Sequence, residues 1–250
     1  MGEFSDKIIV VTGGSKGIGR ATVKRFCEEG AHCVIVGRNG RECQEYVDEL
    51  ALQGFSSSSI AADVSKVSDI KRMVRTIIES FTKVDVLVNS AGVNIRKTAL
   101  EYTEEDWDYV MDINLKGSYF CSVEFGRHMI AGGSGVIVNL ASLQGHIVSL
   151  ERSIYAASKG GVIQFTKGLA NEWSKKGVRV NSISPGYIGT PLVKKVMEDP
   201  SSVELIKTRT PMGRVGRPEE VADLIVYLAS SRASYITGAD ITIDGGWTAS

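Results

Sequence analysis

The sequence predicts an α/β protein, a single domain built on a doubly wound, seven-stranded parallel sheet with helices on both faces. Three observations predict it. Seven short apolar runs recur along the 250 residues, stretches with helical spacing separate them, and no linker, repeat or low-complexity tract interrupts the series. A chain of this length is within what one α/β domain buries around a single core.

The runs are Ile8–Val11, Cys33–Val36, Ile60–Ala62, Val84–Val88, Val136–Leu140, Val178–Ile183 and Ile241–Ile243. A strand covered on both faces needs apolar side chains pointing both ways, so it reads as a continuous run. After the third run, Ile70, Val74, Ile77, Ile78 and Phe81 recur at helical intervals and predict a buried helical stripe. "GFSSSS", Gly54 to Ser59, reads as a loop leading into the third strand. "ALEYTEEDW" is acidic, but reads as a helix start rather than a metal site, with Thr103 as cap and acids in the first turn. Right-handed crossovers place the strand C-termini on one edge, where ligands of open α/β sheets bind. The least regular segment, Gly186 to Pro218, follows the sixth strand on that edge. It is either an ordinary surface excursion or a substrate lid at about 186–218, and its place beside the site favours the lid.

Charge and composition exclude several classes. Lys plus Arg and Asp plus Glu are 29 each, so there is no basic excess of the kind a nucleic-acid surface needs. No apolar run approaches a membrane span. The N-terminal "MGEFSDKIIVVTGG" is too acidic and too briefly apolar for a secretory signal, and Asp6 stands where N-myristoylation needs Ser or Thr. Cys27, Cys33, Cys43 and Cys121 show no CxxC or metal spacing and are expected to be reduced thiols of a cytoplasmic protein. The histidines offer no ligand set, so no metal is expected; His146 either lines a substrate pocket or lies in a plain loop.

Two stretches carry chemistry. "IIVVTGGSKGIGRA" places Gly13, Gly17 and Gly19 between the first strand and the first helix, with Ser15, Lys16 and Ile18 in the same turn. Glycines let the backbone turn sharply and approach a pyrophosphate, which then sits on the helix N-terminus. At the end of the second run, "VIVGRNG" has Gly37 and Arg38 where an acidic residue would hold the adenosine ribose. In the second stretch, Tyr155 and Lys159 are four apart and so share one helix face. None of the other seven tyrosines has a lysine four residues on. The pair is either incidental or catalytic. A phenol with pKa near 10 is poorly matched to proton transfer at neutral pH, and a cation beside it lowers that pKa toward a useful range.

The spacing TGxxxGIG resembles that of the short-chain dehydrogenase/reductase family, and the resemblance runs nearly the whole chain in order. "NSAG" (Asn89 to Gly92) is similar to that family's NNAG, with Ser90 as a departure. "INLKG" supplies Asn114, "NLAS" supplies Ser142 and "YAASK" supplies Tyr155 and Lys159, followed by "SPGYIGTPL" and "YITGADITIDGG". The resemblance implies a Rossmann fold and hydride exchange between a nicotinamide cofactor and a carbonyl or secondary alcohol. It implies that Tyr155 gives the proton, Ser142 holds the substrate oxygen, and Lys159 lowers the phenol's pKa and bonds the nicotinamide ribose. Asn114 would hold a relay water, or else is a buried amide at a helix kink. Asp63 would bond the adenine amine with Val64 beside it, a role compatible with a helix cap. Asn89 would line the adenosine side, and Pro185, Gly186, Ile188 and Thr190 the carboxamide and phosphates. NAD-preferring members carry an Asp in the slot of Gly37. Here Lys16 and Arg38 flank an empty slot, which suits the 2′-phosphate of NADP, unless both are plain solvated charges.

Within the family the chain most resembles gluconate 5-dehydrogenases and 2-deoxy-gluconate dehydrogenases. Arg96 falls where gluconate 5-dehydrogenases carry a substrate-contacting arginine, and Gln144 is expected beside Ser142 in the substrate site. The expected substrate is therefore a sugar acid or polyol such as gluconate or 5-ketogluconate. Another carbonyl reductase, such as a 3-oxoacyl thioester reductase acting on an acidic carrier protein, stays open. So does a non-catalytic NADP-binding sensor, although a complete Asn114, Ser142, Tyr155, Lys159 set argues against it. The resemblance also implies a homotetramer, assembled through the helices carrying Asn114 and Tyr155 and the C-terminal strand. The apolar excess in "YFCSVEFGRHMI" is consistent with that.

Overall fold

The computed structural model describes residues 2–193 and 198–249. Seven strands form one wholly parallel sheet in the order β3-β2-β1-β4-β5-β6-β7. They are β1 (Ile8–Thr12), β2 (His32–Gly37), β3 (Ser57–Ala61), β4 (Val86–Asn89), β5 (Gly135–Leu140), β6 (Val178–Pro185) and β7 (Asp240–Ile243). The order reverses between β1 and β4, opening a crevice at their C-terminal ends.

All seven predicted runs became strands. The third corrects the loop reading of "GFSSSS", because β3 begins at Ser57. It is an edge strand whose residues are all partly or fully exposed, so it needs no apolar run to hold its place. Its register is set by backbone pairing with β2, Cys33 to Ser57 through Gly37 to Ala61.

Alternation along the central strands divides the interior in two. On one face Ile9, Val11, Ile35, Val88, Val138 and Ile183 meet α1 (Gly17–Glu28), α2 (Gly40–Leu52) and α8 (Pro218–Ala229). On the other Val10, Val34, Leu87, Ile137 and Val180 meet α3 (Val67–Phe81), α5 (Ser118–Ala131) and α6 (Ser153–Trp173). In α3 the predicted stripe is present: Ile70, Val74 and Ile77 are buried, and Ile78 and Phe81 pack partly buried on the same core.

Thr103 caps α4 (Glu104–Met111) through a full capping box with Asp106, as the sequence predicts. Beyond Met111 the helix widens into one π turn, Asp112–Gly117, before resuming as α5. Asp199 caps α7 (Pro200–Arg209), with Pro200 in the first turn. The four cysteines are free and buried. Among the described residues no helix is long and apolar enough to cross a membrane, and no cluster of His, Cys, Asp and Glu could hold a metal.

Candidate active site

The glycine turn sits on the C-terminal end of β1, pressed against the segment that follows β4. Gly13 has φ +67°, and a Cβ there would come within 2.9 Å of the Ala91 backbone. At Gly19 a Cβ would meet the Gly13 carbonyl oxygen at 2.3 Å, so only glycine lets α1 start this close to the strand. Thr12 ties the two segments, its hydroxyl accepting from the Ser90 and Ala91 amides, both at 3.2 Å. Lys16 is the N-cap of α1 and supplies no side-chain cap, which leaves first-turn amides pointing outward. Thr190, across the cleft, is 3.2 Å from where a Gly17 Cβ would be. Bare amides at the helix end carrying Ile18, walled by Ser15 and Thr190, fit a nucleotide pyrophosphate.

At the outer end of this cradle one expectation is corrected. Lys16 is not a free cation: its ammonium is 2.7 Å from the Glu42 carboxylate, to which Ser15 also donates at 3.4 Å. Glu42 lies in the first turn of α2, so the cap that starts α2 also brings an acid to the Gly37 slot. Arg38 is exposed, 6.0 Å from the Tyr109 ring centre, with no ion pair among the described residues. Asp63 turns back on Ser65, accepting from its amide at 3.1 Å and its hydroxyl at 2.8 Å, and Val64 beside it is buried. The Asn89 side chain is a second correction. It points into the core, donating to the Ser118 carbonyl, Ser122 and Asn139 at 2.8–3.2 Å, so its N–H groups are committed while its Oδ1 is buried without a partner.

The reacting end gathers Ser142, just past β5, with Tyr155 and Lys159 one turn apart on α6. Tyr155 and Lys159 are buried, and the Ser142 hydroxyl is near enough to the phenol to influence its titration. Burial pushes the phenol's pKa up, while the Ser142 hydroxyl and the Arg152 charge pull it part of the way back. The sequence reading gave that lowering to Lys159. The structure gives it to Ser142 and Arg152, because the Lys159 ammonium donates to the Leu140 carbonyl at 2.6 Å and stands 5.8 Å from the Tyr155 ring centre. Burial without a counter-ion drops Lys159 to about 8. Gly92 leaves room beside it, for a Cβ there would lie 3.6 Å from the ammonium and 3.5 Å from Asn114 Oδ1.

Asn114 is fully buried in the π turn. Its amide clamps the backbone after β4, accepting from the Val93 N–H at 2.8 Å and donating to the Val93 carbonyl at 2.9 Å and to Ser158 at 3.1 Å. With both amide N–H groups committed, Asn114 could meet a relay water only as an acceptor, at its backbone carbonyl or the second lone pair of Oδ1.

On the substrate side two expectations are corrected and two residues emerge. Arg96 is exposed and paired with Glu151 at 3.3 Å, facing water rather than the phenol. Gln144 is buried and committed to Ser149, donating to its hydroxyl at 2.9 Å and accepting from its amide at 2.8 Å. It clamps the Ser142 loop instead of facing a substrate. Sequence reading missed Arg152, the buried N-cap of α6, and Tyr187, whose hydroxyl accepts from the Arg152 guanidinium at 3.4 Å. A signal existed. Arg152 is three residues before Tyr155, the spacing that stacks side chains on one helix face.

His146 lies 2.6 Å from Asp240, which also accepts from Ser182 and Ser184, and so ties the loop to β7. Pro185 ends β6, and Gly186 is glycine because a Cβ would strike Asp244 at 2.7 Å. Ile188 is buried and bridges to Gly216, closing the base of the 186–218 segment. That segment holds a short turn at Pro191–Val193 and then α7, more regular than the sequence suggests; its residues 194–197 lie outside those described.

Comparison with known proteins agrees with this geometry. Residues 13–248 match the family model described as enoyl-(acyl carrier protein) reductase. The chain is 40% identical to an NAD-dependent glycerol dehydrogenase of Listeria innocua, covering 98% of this chain and 95% of that one. It is 38% identical to a 2-dehydro-3-deoxy-D-gluconate 5-dehydrogenase of Escherichia coli, over 97% and 96%. A crystal structure of a gluconate 5-dehydrogenase from Burkholderia cenocepacia, in complex with NADP and tartrate, superposes with a TM-score of 0.96 at 30% identity, over 99% and 97%.

Proposed function

The chain belongs to the short-chain dehydrogenase/reductase family, oxidoreductases that act on CH–OH groups with a nucleotide cofactor, and from that premise we propose that it interconverts a sugar acid and its keto form with NADP(H). The observation that carries the reading is the buried Ser142–Tyr155–Lys159 group beside a bare glycine cradle. The nicotinamide, when bound, supplies or accepts the hydride. Tyr155 gives its proton to the substrate oxygen in reduction and takes it back in oxidation. The raised phenol pKa keeps that proton in place at neutral pH, the form that serves as donor in reduction. Ser142 orients the same oxygen and stabilises the charge developing on it. Lys159 holds the nicotinamide ribose and passes the replacement proton, with a water on the Asn114 backbone as the next carrier.

Arg38, exposed and without an ion pair among the described residues, supports the choice of NADP(H) by offering a 2′-phosphate a bidentate partner. Glu42 beside Lys16 favours a second reading, in which NAD(H) serves as well. The sugar-acid reading rests on the branch of relatives to which the chain is similar. Free, buried thiols suit a reducing cytoplasm. Trp107, Tyr109 and Tyr119, all exposed on α4 and α5, support a homotetramer assembled there. Light scattering at micromolar concentration should then give four times 27.0 kDa; the mass of one chain contradicts the assembly.

The test of function is a steady-state panel with NADPH and NADH: 5-ketogluconate, neutral ketones and a 3-oxoacyl thioester, with gluconate in reverse. The highest kcat/KM should fall on the keto acid with NADPH. Preference for the thioester or for a neutral ketone would replace the substrate, and turnover of none would replace the enzyme by a binder.

A further inference from the structure

Two arginines flank the reacting end, and they differ in what they touch. Arg96 is in water with Glu151 as its partner. Arg152 is 91% buried, being 9% exposed, and has no carboxylate within ion-pair distance among the described residues. One guanidinium nitrogen reaches the Tyr187 hydroxyl at 3.4 Å, the group stands 5.6 Å from the Tyr187 ring centre, and its Nε has no hydrogen-bond partner. Removing a guanidinium from water costs several kcal/mol unless something answers its charge, and a neutral phenol answers little of it. Arg152 is the N-cap of α6, three residues before Tyr155, which puts it at the same end of the helix as the phenol, and its charge is felt there.

We infer that Arg152, steadied by Tyr187, is the anion-binding residue of the substrate site, taking the carboxylate of a short hydroxy or oxo acid whose reacting carbon faces Tyr155. The inference rests on the sugar-acid reading for the substrate's class, but the geometry alone selects Arg152 over Arg96. The free Nε and its neighbouring N–H form the edge of a guanidinium that a carboxylate engages with two parallel hydrogen bonds. Such a contact also brings the missing counter-charge, so the ligand relieves the desolvation that the free protein carries. Arg96 cannot do this without first releasing Glu151.

Calorimetric titration of the cofactor-saturated enzyme with D-gluconate, against D-sorbitol as the neutral analogue, tests it. Wild type should hold gluconate more tightly than sorbitol. Arg152→Gln should lose about ten- to a hundredfold on gluconate and almost nothing on sorbitol, with NADPH affinity unchanged. Arg96→Ala should leave both within about twofold, as expected of an exposed pair. If Arg152→Gln does not fold, Arg152→Lys keeps the charge but not the fork, and should lose at least threefold on gluconate alone. Equal affinity of wild type for the two ligands, unchanged gluconate affinity in the folded variant, or loss of NADPH binding overturns the inference. Gluconate bound through Arg152 but never turned over leaves the inference standing and removes the sugar acid as substrate. Rapid turnover of gluconate with no dependence on Arg152 does the reverse.

Discussion

At the glycine turn Lys16 meets Glu42 at 2.7 Å with both side chains partly in water, whereas beside Tyr155 the Arg152 and Lys159 side chains are buried with no carboxylate beside them among the described residues. Water screens the first arrangement, and a pair of that kind contributes about 0–1 kcal/mol. The second is unscreened, and each buried charge acts at close to full strength on whatever faces it. On the proposed reading, cofactor preference would rest on solvent-screened groups at the rim and the chemistry on buried ones. The same fold places both on one sheet edge, β1–β2 for the first and β5–β6 for the second.

The contrast can be broken hardest at Tyr155. Tyr155→Phe should lower kcat by about a thousandfold or more while NADPH affinity, read by fluorescence titration, stays within twofold. Residual activity near wild type would mean that the buried end does not carry the proton transfer. Next comes the rim: Arg38→Asp should shift the ratio of kcat/KM for NADPH over NADH by about a hundredfold toward NADH, through loss of a bidentate phosphate contact and gain of repulsion. An unchanged ratio would take Arg38 out of the cofactor site.

A third prediction concerns stability. The folded pKa of Lys159, about 8, lies below the usual 10.5. Between those values the unfolded chain binds more protons, so stability rises with pH across that window. Lys159→Met should accordingly stabilise the cofactor-free protein by roughly 1–3 kcal/mol at pH 7, and the gain should fade toward pH 10. Urea denaturation at both pH values decides it, and a destabilised variant at pH 7 would deny the buried, unpaired charge. The smallest effect is expected at Glu42. Glu42→Gln frees Lys16 and should raise NADPH preference only about threefold, because the pair is exposed.

Much of this was legible from local patterns. The strands β1, β2, β4, β5 and β6 are covered on both faces, and burial on both faces leaves continuous apolar runs that can be read directly. Ser57 to Ser59 could not be read as strand, since an exposed edge needs only backbone partners. In the site, residue type and spacing found Gly13, Gly19, Tyr155 and Lys159, and the family resemblance supplied Ser142. Direction was the invisible quantity. Whether Asn89 or Gln144 faces a cleft or a clamp depends on Ser122, Asn139 and Ser149, which only folding brings near. Which of two arginines is buried depends likewise on Tyr187, 35 residues away in sequence from Arg152.

The π turn at Asp112–Gly117 makes the rod from α4 to α5 a spliced one, carrying one residue more than a continuous α-helix would hold. A π turn absorbs that extra residue locally, so deleting one residue from the splice would return an unbroken α-helix and leave α4 and α5 on their present faces. What changes is the aim of the side chains inside the turn, where Asn114 would let go of Val93 while Trp107 and Tyr109 stay where they are. Length variation here is therefore separable from the fold: a one-residue deletion should keep the helix and remove the Asn114 clamp, which isolates what the extra residue does for the site from what the helices do for stability.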